Sequence, residues 1–104
     1  MSAARERLPD RRYVEAFGLE IAGLRYTCSV GRFADGRICE LFLSHHKSNG
    51  AADTNARDGA IALSFTLQHG VDIETICKAL CRDSQGLASG PLARAWDMLV
   101  EDKL

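Results

Sequence analysis

No apolar run in this chain approaches the roughly 20 residues needed to cross a bilayer, and Met1 to Asp10 carry no apolar core of a secretory signal. Both observations argue against a membrane role and lead to the expectation of a cytoplasmic protein. Charge of one sign is not in excess either: 13 Lys and Arg face 14 Asp and Glu, for a net charge of -1. A dedicated nucleic-acid binder concentrates basic residues on one face, so this balance argues against that class. There is no Cys-x-x-Cys pair, the strong zinc signal, and no Gly-Lys-Ser/Thr phosphate loop. Repeats and low-complexity segments are absent as well.

What is present fits one small domain. Arg5, Arg7, Arg11 and Arg12, offset by Glu6 and Asp10, make residues 1–12 a flexible basic arm, leaving 13–104 as a single domain. A domain of 104 residues buries only part of its surface, so association into a homo-oligomer is an accessible source of stability. Four cysteines in a cytosolic chain are expected to be reduced and buried rather than cross-linked.

Two turn signals organise the first half. With Ala22-Gly23 and Asp35-Gly36 as two-residue hairpin loops, Ile21 faces Leu24, Leu19 faces Tyr26 and Phe17 faces Cys28. In the second hairpin Cys28 faces Leu43, Val30 faces Leu41 and Arg32 faces Cys39. Side chains alternate across a strand, so all of these fall on one apolar side. The other side carries Arg25, Thr27, Ser29 and Glu40 with Phe33, Ile38 and Phe42, a mixed surface whose aromatic end suits a partner subunit.

After Leu43 the period becomes helical. Ala56, Ala60, Leu63, Ser64 and Leu67 predict a helix starting at Asp53 or Thr54 and ending at Gly70. Asp72 is the expected N-cap of a second helix with Ile73, Ile76, Cys77, Leu80 and Cys81 on its apolar stripe. Pro91 opens a third, which presents Leu92, Ala95, Trp96 and Leu99. The fold class is therefore α+β: a three-stranded antiparallel meander followed by about three helices packed on one face.

Two constellations could carry chemistry. Cys77 and Cys81, four apart on one helix, could join His45, His46 and Cys28 or Cys39 around a metal, although each cysteine falls on an expected apolar face. His45-His46-Lys47-Ser48-Asn49-Gly50 leads from a strand into a helix N-terminus, where free N–H groups and the helix dipole favour an anion. The competing reading is an ordinary polar loop with a helix cap. Glu40 interrupts an apolar strand, and Asp58 and Gln68 flank the helical stripe, as structural ion-pairing groups or ligand-orienting ones. His69 is placed to satisfy the last carbonyls of its helix.

The segment from Gly31 to Leu43, with its Asp35-Gly36 turn, Glu40 and Phe42, resembles the TSCPD-type domain, as do the Lys47-Ser48-Asn49-Gly50 loop and the Leu67-Gln68-His69-Gly70 helix end. That domain closes adenosylcobalamin-dependent ribonucleotide reductases and also occurs as short stand-alone proteins. Arg82-Asp83 and Gly90-Pro91-Leu92 resemble the stand-alone members, whereas the Thr-Ser-Cys-Pro-Asp string itself is missing. The resemblance implies a TSCPD-like domain over 13–104, acting as an accessory module of ribonucleotide reduction and binding the reductase or a nucleotide. It implies no catalysis by the chain alone and no cofactor of its own, adenosylcobalamin belonging to the partner reductase. Lys47, Ser48, Asn49, Gly50, Glu40, Asp58, Gln68 and His69 are the candidate binding residues. Two alternatives stand beside it: a homo-oligomeric interaction module without ligand, and a Cys/His metal protein.

Overall fold

In the computed structural model, which describes residues 4–10, 13–47 and 50–101, Ala22 and Gly23 adopt φ of 53° and 77°. These are the left-handed values a two-residue hairpin loop requires. They join strand β1 (Tyr13–Ile21) to β2 (Leu24–Arg32) in the expected register, Ile21 opposite Leu24 and Phe17 opposite Cys28. Strand β3 (Ile38–His45) then pairs with β2, giving a sheet of order β1-β2-β3.

The second hairpin departs from the sequence reading. Cys28 faces Leu43 and Val30 faces Leu41, but the register slips between Gly31 and Arg32, so Arg32 faces Ile38 rather than Cys39. The loop runs over five residues, closed by Gly36 N–H donating to Phe33 O at 2.9 Å. Arg37 fixes it, reaching Asp35 at 2.7 Å and Glu6 at 3.0 Å with its guanidinium over the Phe33 ring. An extra residue in one strand reverses the facing of the residues beyond it. Ile38 accordingly joins the core and Phe33 is buried, so the expected aromatic face of Phe33, Ile38 and Phe42 reduces to Phe42.

Three helices complete the chain: α1 (Ala51–Gln68), α2 (Ile73–Lys78) and α3 (Pro91–Glu101). The core lies between the sheet's apolar face, carrying Leu19, Tyr26, Cys28, Val30, Ile38, Leu41 and Leu43, and Ala56, Ala60, Leu63 and Leu67 of α1 with Ala95 and Leu99 of α3. Helix α1 starts two residues before Asp53, with Gly50 as N-cap. The Asp53 carboxylate is engaged elsewhere, accepting from His45 N–H at 2.9 Å and from Arg57 Nε at 2.9 Å.

That contact belongs to a series. In an antiparallel sheet alternate residues of an edge strand point their backbone groups outward. On β3 these are Cys39, Leu41, Leu43 and His45, and α1 runs alongside them. Gln68 Nε2 donates to Cys39 O at 3.0 Å, Ser64 Oγ accepts from Leu41 N–H at 2.8 Å, and Asp53 takes His45 N–H. Asp53, Ser64 and Gln68 are the buried polar residues of α1, and each is spent on the sheet edge.

Asp72 caps α2 as expected, accepting from Thr75 N–H. The helix ends at Lys78, so Cys81 does not share its stripe with Cys77; it lies in the following loop and is exposed. Arg82 pins this loop to α3 through two hydrogen bonds to Asp97, at 2.8 and 2.9 Å. Those bonds hold the Asp97 carboxyl below its usual range. A carboxyl depressed in the folded state stabilises above its unfolded pKa and loses that contribution as pH falls through the folded value. Arg82→Gln is therefore expected to lower the urea midpoint at neutral pH, with the difference from the native chain shrinking as pH drops below about 3.9. A gap that persists unchanged in acid would show that Arg82 acts by packing instead.

Candidate functional site

The sequence-derived site residues fall into separate places. Glu40 and Gln68 come together, lining a depression of about 230 Å³ with Arg5, Phe42, Ile61 and Phe65. Glu40 lies across Gly31, where an added Cβ would sit 2.7 Å from its Oε2. Both ends of the Gln68 amide are committed, Nε2 to Cys39 O and Oε1 to Arg5 Nε at 2.6 Å. Glu6 N–H adds a bond to Gln68 O, so this part of the arm runs along the end of α1.

Lys47 and Gly50 lie at the other end of α1, both exposed, and an 18-residue helix is about 27 Å long. One small ligand does not reach from Lys47 to Gln68. Ser48 and Asn49 lie outside the described residues. At this end Asp53 already places a carboxylate in the first turn, where the dipole favours negative charge. Asp58 is exposed on α1, and the arginine beside it, Arg57, pairs with Asp53. His69 is exposed with Nδ1 2.8 Å from Phe65 O, the helix-end contact expected of it.

Two of the buried thiols are poor candidates for chemistry. Burial, helped by the charge of Glu15, pushes Cys28 up to about 12, and burial pushes Cys77 up to about 11. A thiol so far above neutrality holds almost no thiolate, the reactive and metal-binding form. Among the described residues no three His, Cys, Asp or Glu side chains are grouped to hold a metal ion.

A surface feature the sequence reading did not assemble is more distinctive. Phe42 is 53% exposed, Ile61 47% and Phe65 48%. Phe42 projects from the open side of β3, while Ile61 and Phe65 are one turn apart on α1, off its buried stripe. That i, i+4 apolar pair outside the core pattern was the available signal. Arg5 lies over the Phe65 ring at 4.9 Å. On the other flank a shelf of about 370 Å³ is lined by Thr27, Ser29, Ser44 and Arg57 beside Phe42 and Ile61. Thr27 faces Ser44 across the strands. Among the described residues the Ser29 and Ser44 hydroxyls have no hydrogen-bond partner. An apolar groove of about 330 Å³ lies between Tyr26, Ala56, Leu80 and Leu92.

Over 79 residues the chain is 37% identical to the vitamin B12-dependent ribonucleotide reductase of Agrobacterium fabrum, a match covering 76% of this chain and 6% of that protein. The reductase of the same name from Bradyrhizobium diazoefficiens is 34% identical over 70 residues, 67% of this chain and 6% of its own length. The chain is related to one short segment of these reductases. That of Rhodopirellula baltica matches likewise, 36% identical over 72 residues, 69% of this chain and 7% of the reductase. The relationship to the vitamin B12-dependent reductases agrees with the TSCPD resemblance of the hairpin and of α1. The chain spans 6 to 7% of the length of these relatives. No family model matches it, and no solved structure matches it significantly.

Proposed function

We propose that this chain is an accessory module of ribonucleotide reduction that binds the body of a vitamin B12-dependent reductase through Phe42, Ile61 and Phe65. The exposed trio carries the reading. Large apolar groups rimmed by Arg5 and Arg57 mark a protein-docking surface for an apolar patch with an acidic border. The matching segment in the relatives is a small part of one long chain, so its natural neighbour there is the rest of the reductase. This reading gives adenosylcobalamin no place on the chain itself. That cofactor is assigned to the partner.

Surface plasmon resonance with a purified vitamin B12-dependent reductase tests the proposal. Phe42→Asp combined with Phe65→Asp is expected to weaken binding by about thirtyfold or more, corresponding to about 2 kcal/mol or more for central aromatic anchors. Equal binding by the folded double variant, or none by the native chain, counts against it.

A nucleotide is the second reading, favoured by the Ser29 and Ser44 hydroxyls, without partners among the described residues, beside Arg57 and an exposed aromatic ring. Hydroxyls and guanidinium suit a phosphate, and Phe42 offers a stacking face. Calorimetric titration with ribonucleotides and deoxyribonucleotides on native and Arg57→Gln chains separates the two readings.

A further inference from the structure

The two edges of the sheet are treated differently. Along β3, side chains of α1 bond three of the four outward residues, at Cys39 O, Leu41 N–H and His45 N–H. Along β1, the residues whose N–H and C=O point away from β2 are Val14, Ala16, Gly18 and Glu20, because Ile21 and Leu24 close the two-residue loop as a bonded pair. All four residues are exposed, and among the described residues none of these groups has a hydrogen-bond partner. Edge strands are normally guarded by charged side chains, lysine above all, by proline, by a bulge or by a covering element. Strand β1 contains no lysine or proline, its two charges are Glu15, ion-paired with Arg32 of its own sheet, and Glu20 beside the hairpin loop, and its register with β2 runs unbroken over nine residues. A straight nine-residue edge with no lysine, proline or bulge, beside one that α1 bonds along its length, points to an occupant.

We propose that β1 pairs antiparallel with β1 of a second copy about a two-fold axis at Phe17, joining two sheets into one of six strands. The strand supplies its own complement. With the axis at Phe17, Val14 faces Glu20 of the second copy and Ala16 faces Gly18, so outward residues meet outward residues along the whole strand. Four bonded pairs then form about eight hydrogen bonds. Glu15 meets Leu19 and Glu20 meets Val14, so no like charges are opposed. Phe17 meets its own copy in a close pair on the core side, where it already packs against the core. This pairing is independent of reductase docking, which uses the β3 border of the sheet rather than the β1 border.

Sedimentation of the full chain over a concentration series is expected to show twice the monomer mass. Gly18→Pro removes an outward donor without touching the β1–β2 ladder, and Ala16→Lys places a charge against the second copy. Each is expected to weaken dimerisation at least tenfold with the circular dichroism spectrum retained. Should either variant misfold, hydrogen exchange of the native chain is decisive: amides of Val14, Ala16, Gly18 and Glu20 should slow as concentration rises through the dimerisation range. A native chain that stays monomeric overturns the proposal, as does a dimer that survives both folded variants. So does a dimer lost with Phe42→Asp but kept with Gly18→Pro, which moves the contact to the aromatic patch. If the chain is monomeric and the β1 variants lose reductase binding, the edge belongs to the reductase and the pairing proposal fails.

Discussion

Replacing Leu41 with alanine is expected to lower the unfolding free energy by roughly 3 kcal/mol and Tm by about 15 °C. Leu41 is 1% exposed, one of the largest fully buried side chains, packed between the sheet and α1. Truncation removes three buried carbons and leaves a cavity whose cost depends on how far the surroundings close in. Here they are held back, because Ser64 of α1 is hydrogen-bonded to the backbone of Leu41 itself. The loss should therefore not fall at the low end of the range for such changes. Phe42→Ala, one residue along and on the open side, is expected to cost under about 1 kcal/mol. Urea unfolding of the two variants measures the contrast, and similar losses would mean the pleat of β3 is assigned to the wrong faces.

Ser64→Ala is expected to cost about 2 kcal/mol although it removes one atom from the helix. The Ser64 hydroxyl accepts from Leu41 N–H at 2.8 Å and has Leu41 O at 2.9 Å and Ala60 O at 2.8 Å as acceptors. Its single proton serves one of those carbonyls at a time, so the accepted bond is the one with no substitute. Alanine leaves the Leu41 N–H buried and unpaired, which costs the full desolvation of that group. Amide exchange at Leu41 should quicken more than at neighbouring core amides. Thr66→Ala, whose exposed hydroxyl only returns to its own helix at Ala62 O, is the control and should change stability by under about 0.5 kcal/mol. If the two substitutions behave alike, the edge contact contributes little.

The first hairpin was legible because Ala22-Gly23 demands one loop length, and loop length sets register. The second misled because Asp-Gly signals a turn without fixing its size. The deciding contacts, Arg37 to Glu6 and Arg32 to Gly36 O, come from side chains whose partners a local pattern does not reveal. Helices α2 and α3 were announced by Asp72 and Pro91, whose roles are local. Helix α1 was placed, but its purpose was not. Gln68 reads as a polar residue near an apolar stripe whether it holds a ligand or a strand, and only the path of α1 along β3 distinguishes them. Cys81 was drawn onto the stripe of α2 by spacing alone, while the helix closes with Ala79 N–H bonded to Ile76 O. Ile61 and Phe65 were hidden by the stripe beside them, since the residues that face the core dominate the helical period of α1.

The asymmetry between the two borders of the sheet also limits how large an assembly can become. Strand-by-strand growth into a filament requires each incoming molecule to offer a fresh template after it docks, and α1 lies along the far border of this sheet with side chains bonded to Cys39, Leu41 and His45. Two molecules joined through β1 would expose only such helix-covered borders, so addition terminates at the pair. The hydroxyl of Ser64 and the amide of Gln68 thus do more than hold a helix in place: they keep a chain with one adhesive rim from becoming a chain with two, the difference between a counted complex and an open-ended fibre.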